Sequence, residues 1–186
     1  MDLGNIEAGA TPEDTMFALT EILYQLIEKE VTVIILGGSQ ALSLAQYRAY
    51  EILGRVVNLV SIDSQFDLEN RETVTSRSWL NHIVQLQPNY LFNLTNLGYQ
   101  TYLNGTSKIR LMEDLQFDSI RLGLLQGDPP FEAEPYIRAA DLLSFDISAV
   151  RQCDAPGNGN VSPHGLYGEE LCPLMRYAGM RDKLSS

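Results

Sequence analysis

A chain of 186 residues that is 45% hydrophobic is long enough to bury a sizeable core, which predicts one globular domain over residues 1–186 and argues against disorder. Its formal charge of −11 opposes approach to phosphate backbones and anionic lipid, so neither nucleic acid nor a membrane is an expected partner. The longest strongly apolar run, Val31 to Leu36, is far shorter than the roughly 20 residues of a membrane-spanning helix, and Met1-Asp2-Leu3-Gly4-Asn5 carries no targeting pattern, so the expected location is the cytoplasm.

Thr11-Pro12-Glu13-Asp14 combines a capping residue, a proline for the first helical position and acids for the first turn, so a helix is predicted to start there. Leu19, Ile22, Leu23, Leu26 and Ile27 recur at helical spacing and form its apolar stripe. Val31-Thr32-Val33-Ile34-Ile35-Leu36 is apolar on both faces and reads as an interior parallel strand ending at Gly37-Gly38. Ser39 opens a second helix that stops at Gly54, and Val56 to Ile62 is the next strand, which predicts a right-handed parallel crossover.

Further along, Ser76 to Gln87 reads as a helix ending before Pro88, and Tyr90 to Leu94 as a short strand. A helix near Lys108 to Asp114 and a strand near Ser119 to Leu122 follow. Pro129-Pro130 breaks the chain before a short helix over Glu134 to Ala140 and a strand over Asp141 to Asp146. A Pro- and Gly-rich loop from Ala155 to Gly165 leads to a last helix near Glu169 to Tyr177. Cys153 and Cys172 are the only cysteines and fit neither a disulfide framework nor a zinc site.

Three segments at predicted strand ends draw attention: Gly37-Gly38-Ser39-Gln40-Ala41, Asp63-Ser64-Gln65-Phe66-Asp67 and Ser144-Phe145-Asp146-Ile147-Ser148. In an open parallel sheet, side chains just beyond the carboxyl ends of strands converge, so Gln40, Asp63 and Asp146 can meet despite their separation. Oxygen donors from several segments suit a hard divalent cation. Taken singly, Asp63, Asp67 and Asp146 read first as strand-end and capping aspartates.

Together these segments resemble the motifs of the arginase, agmatinase and formimidoylglutamase family: glycine-glycine-aspartate-histidine, aspartate-alanine-histidine-x-aspartate and serine-phenylalanine-aspartate-x-aspartate. The likeness spans most of the chain, because Pro156 to Glu170 resembles the family's glycine-rich loop and following helix. Arg176-Tyr177-Ala178-Gly179-Met180 is closest to the bacterial formimidoylglutamase-like branch. The resemblance implies a three-layer α/β fold with a mainly parallel sheet, shortened relative to the family domain, and a possible homo-oligomer. It also implies hydrolysis of a carbon–nitrogen bond in a guanidino, amidino or formimino group by water that two manganese ions activate.

Carried over by position, the resemblance makes Asp63, Asp67 and Asp146 metal ligands and Glu170 a substrate-binding carboxylate, with Glu169 and Glu170 reading alternatively as an acidic first helical turn. Gln40 and Gln65 stand where the family has histidines, and Ser148 where it has an aspartate. One metal would keep Gln40, Asp63, Asp67 and Asp146; the other would have Gln65 and Ser148 as its private ligands. The expectation is therefore one manganese or magnesium ion and no binuclear manganese centre.

A chain so altered is expected to be catalytically degenerate, with a ligand-binding or assembly role and a small cationic amidine-like ligand. The alternative is an active metal-dependent amidine hydrolase. An empty site would leave repelling carboxylates, raising a pKa or recruiting Arg151 as counter-ion. Gln40 and Gln65 are expected to join a neutral polar network, bonding each other or nearby backbone. His82 and His164 sit at no ligand position, and Gly37-Gly38 lacks the lysine and glycine spacing of a nucleotide loop.

Overall fold

The computed structural model describes residues 1–126, 129–180 and 183–186. Helix α1, Pro12–Glu28, begins as its sequence requires: Thr11 Oγ1 accepts from the Asp14 amide at 3.2 Å, and Asp14 Oδ2 accepts from the Thr11 amide at 2.9 Å. Its buried face is Met16, Leu19, Leu23 and Ile27, whereas Ile22 is exposed. A short 3₁₀ turn at Gln40–Leu42, capped by Ser39, leads into α2, Ser43–Ile52. Gly54, at φ 63°, takes the left-handed conformation that stops it.

Four strands follow, β1 Val57–Ile62, β2 Leu91–Tyr99, β3 Asp118–Arg121 and β4 Leu142–Phe145. They form one parallel sheet in the order β3-β2-β1-β4. Between them lie α3 Trp79–Gln85, α4 Thr106–Asp114, α5 Leu122–Leu125 and α6 Pro129–Ala139, and α7 Gly168–Gly179 comes last. Pro129 and Pro130 thus open a helix rather than break the chain, because the first turn has no intrahelical bond for their missing amide hydrogens to forfeit.

The alternation of the strands sorts the core into two layers. Val57, Leu59, Leu94 and Leu142 pack with α1, α2 and α3, while Val60, Ile62 and Leu97 face the layer of α5, α6 and α7. Helices therefore cover both faces of the sheet, as the three-layer reading requires. Among the described residues no helix is long and apolar enough to cross a membrane.

The first expected strand does not form. Val31 to Leu36 runs outside the sheet with Ile34 84% and Leu36 96% exposed. The position beside β4 is taken by the last residues instead: the Leu143 amide donates to Ser186 O at 2.8 Å, and Val33 donates to Ser185 O at 3.0 Å. The segment leans on that tail by its backbone and one hydroxyl contact, Thr32 Oγ1 to Leu184 O at 3.5 Å. The crossover predicted from Val31–Leu36 to β1 is therefore absent; β1-α3-β2 and β2-α4-β3 are parallel connections.

Candidate functional site at the strand ends

Reading every second residue along three strands locates the site. On the face covered by α1, α2 and α3, β1 runs Val57, Leu59, Ser61 and then Asp63; β4 runs Leu142, Ser144 and then Asp146; β2 runs Leu94 and Asn96. Register places Ser61 beside both Asn96 and Ser144. The ladder continues past the strands, with the Asp63 amide on Leu97 O at 3.1 Å and the Asp146 amide on Ile62 O at 3.0 Å. An apolar core thus gives way to a polar row and then to acids as the strands end.

The loop after β1 is held from several sides. Asp63 Oδ1 accepts the Gln65 amide at 2.9 Å, and Trp79 Nε1 donates to Asp67 Oδ2 at 2.9 Å. Asn104 clamps the same loop: its Oδ1 accepts the Phe66 amide at 3.0 Å, and its Nδ2 donates to Ser64 O at 3.0 Å and Gln100 O at 2.9 Å. Asp67 sits at φ 50°, a conformation aspartate tolerates better than most residues.

Asp63 and Asp67 are 2% and 4% exposed and share a hydrogen bond with each other. Burial pushes the Asp63 carboxyl well above the usual carboxylate range, and the charges of Asp67 and Asp146 push it the same way. Burial also raises Asp67, to about 6, against the lowering effect of the Trp79 and Asp63 hydrogen bonds. Two buried carboxyls in contact cannot both ionise cheaply without a cation, so one of them retains a proton.

Asp146 is half-buried and uses Oδ1 to accept the Ser148 amide at 2.7 Å, while Ser148 is buried. Gln40 Nε2 donates to Ser144 Oγ at 3.2 Å, and the Ser144 and Ser43 hydroxyls hydrogen-bond at 2.7 Å. Gln40 therefore bonds Ser144 and not Gln65. Arg151 does not serve as counter-ion to the acids: its Nε donates to Asp154 Oδ2 at 2.7 Å and its guanidinium lies 3.9 Å over the Tyr167 ring. A nearer acid on the same turn, three residues away, captures it.

Glu170 accepts the Tyr167 amide at 2.9 Å and so caps α7, while Glu169 is exposed. Gly165 lets the preceding loop lie against the turn after β4, since a Cβ there would fall 2.6 Å from Ala149 O. His164 is exposed, its carbonyl accepting Gln100 Nε2 at 3.0 Å, and His82 lies half-buried in α3. Asn96 and Asn104 were not among the residues the sequence singled out; the only signal for Asn96 was its two-residue step from Leu94 toward the strand end.

The family model for the arginase family matches residues 1–185. The chain belongs to the arginase family.

Solved structures agree on the fold. Formimidoylglutamase from Bacillus subtilis subsp. subtilis str. 168 superposes with a TM-score of 0.86 at 17% identity, covering 99% of this chain and 61% of that one. Formiminoglutamase from Trypanosoma cruzi, in a form with Mn2+, gives 0.87 at 17% identity, covering 96% and 63%. An arginase-like protein from T. brucei with two serines changed to aspartate gives 0.72 at 17% identity, covering 95% and 56%. This arginase-family chain thus spans about three-fifths of the length of such structures, and at this identity the likeness carries the fold. No curated protein matches it in sequence.

Manganese is the metal the family implies, and the donors bear on its fit. Among the described residues, no three or more His, Cys, Asp and Glu side chains are grouped so as to hold a metal ion. Asp63 and Asp67 lie together with the charge of Asp146 acting on both, but the other three positions of the inferred ligand set, Gln40, Gln65 and Ser148, offer only amide or hydroxyl oxygens. A pair of manganese ions does not fit such a set, because nothing replaces the charge and imidazole basicity of the missing ligands.

Proposed function

We propose that this arginase-family protein no longer performs the family's hydrolysis and acts as a ligand-binding or assembly subunit, with its strand-end pocket kept for a small cationic amidine-like ligand. The observation that carries this reading is the neutral trio Gln40, Gln65 and Ser148 at three of the six ligand positions inferred from the motifs. Two of these, Gln65 and Ser148, are the private ligands of one ion, so that ion has lost its own anchors. The other position could take at most one manganese or magnesium ion. Glu170 is the carboxylate we assign to the ligand's cationic end, and a homo-oligomer in the cytoplasm is the proposed setting.

The T. brucei arginase-like structure carries serine-to-aspartate changes, the same kind of exchange as Ser148→Asp here. The competing reading, an active hydrolase of formimidoylglutamate, agmatine or an arginine-like substrate, draws on the retained acids Asp63, Asp67, Asp146 and Glu170. Release of ammonia, urea or formamide from these substrates by manganese-loaded protein decides between them. No release above buffer supports the non-hydrolytic reading, and steady turnover overturns it.

A further inference from the structure

The segment between the turn after β4 and the start of α7 is a loop whose two ends are tied together, since Asp154 Oδ2 accepts the Gly168 amide at 2.9 Å. Its last residues run along that turn: the Leu166 amide donates to Ala149 O at 2.8 Å, the Arg151 amide to Leu166 O at 3.1 Å and the Gln152 amide to Ser162 O at 2.8 Å. Two residues before Leu166, His164 O accepts Gln100 Nε2 at 3.0 Å from just beyond the end of β2. In the sheet, β1 stands between β2 and β4. The loop therefore bridges the ends of β4 and β2 across the end of β1, where the Asp63 to Asp67 segment begins.

Gln100 is the joint of this bridge. It is 4% exposed, its amide donates to Ser64 O at 3.0 Å, and its carbonyl accepts Asn104 Nδ2 at 2.9 Å. A main-chain carbonyl only accepts, so the side-chain nitrogen faces His164 and the side-chain oxygen accepts the hydroxyl of Tyr102. One residue thus grips the acid-bearing segment by its main chain and the loop by its side chain. Elsewhere the loop is lightly held. Among the described residues, the main chain of 156–161 makes no hydrogen bond to another element, and the side-chain tie from Arg77 Nη2 to Asn160 Oδ1, at 3.4 Å, is exposed.

We propose that residues 155–167 are a strap across the strand-end pocket and that Gln100, oriented by Tyr102, is the positioning residue that latches it. This deepens the reading above and rests on its premise that the pocket takes a small ligand. With the latch closed, Asp63 and Ser64 are each 2% exposed; its release opens them to an entering molecule.

Hydrogen exchange of the full chain, with no ligand present, tests the strap. Gln100→Met removes the donor to His164, and Tyr102→Phe removes the hydroxyl that orients it. Tyr102 is 67% exposed, so the second variant alters a surface group and carries the test alone if the first does not fold. Exchange in residues 158–166 is expected to rise, about tenfold in Gln100→Met and about threefold in Tyr102→Phe, together with that of the Gln65 and Phe66 amides beneath the strap, while the amides of α1 are unchanged. Unchanged exchange in 158–166, a rise there without one at Gln65 and Phe66, or an equal rise throughout α1 overturns the proposal. Amidine hydrolysis would overturn the non-hydrolytic reading and leave the exchange result as it stands, and failure of the strap leaves that reading untouched.

Discussion

The indole N–H of Trp79 donates to Asp67 Oδ2 at 2.9 Å, so the first residue of α3 fixes the last acid of the motif loop. Trp79 is itself fully buried. Trp79→Phe keeps most of the packing and removes the donor, leaving a buried carboxyl short of one partner. The expected cost is ~1–3 kcal/mol in urea unfolding. A loss within error would show that the contact does not support the loop.

The acid pair sets a pH dependence. Asp63 and Asp67 hold protons in the folded chain above their ordinary value of 3.8, Asp67 up to about 6. Above 3.8 the folded chain binds more protons than the unfolded chain, so the contribution of Asp67 to stability is full below 3.8 and is lost as pH rises through about 6, and that of Asp63, raised well above 3.8, falls with rising pH in the same sense. Asp63→Asn imitates the protonated partner and still accepts the Gln65 amide. Its melting temperature is expected to gain on that of the unaltered protein between about pH 5 and about pH 7, and an unchanged difference would contradict the shared proton.

Exposure of Ile34 and Leu36 predicts tolerance at those two positions, where the sequence predicts a core strand. Leu36→Lys should change stability by less than about 0.5 kcal/mol. Leu59→Ala, in the buried sheet, should cost ~2–5 kcal/mol. Chemical denaturation of both variants checks the contrast.

That segment also shows where sequence reading stops. The capping box at Thr11, the β-branched run of β1 and the glycine stop at Gly54 are local signals, and each formed as read. Val31–Leu36 has equal β character, but a strand needs a partner, and residues 184–186 stand beside β4 instead. β2 extends five residues beyond its predicted end, to Tyr99, because the polar run is satisfied from outside the strand, with Asn93 Nδ2 on Asp118 and Asn96 Nδ2 on Gln65 O. The acids of the site were legible as motif residues. Their neighbours Trp79, Asn96 and Asn104 were not, since long-range hydrogen bonds leave no mark in spacing.

Gln40→His, Gln65→His and Ser148→Asp introduced together should raise manganese binding above that of the unaltered chain. Isothermal titration with manganese checks this, and no gain in a folded variant would contradict the assignment of these three positions as former ligands.

The most direct test counts manganese bound per chain after saturation and removal of excess, together with product release from formimidoylglutamate, agmatine and arginine. The account predicts no more than one ion per chain and no release above buffer. Two ions per chain with steady release would contradict it.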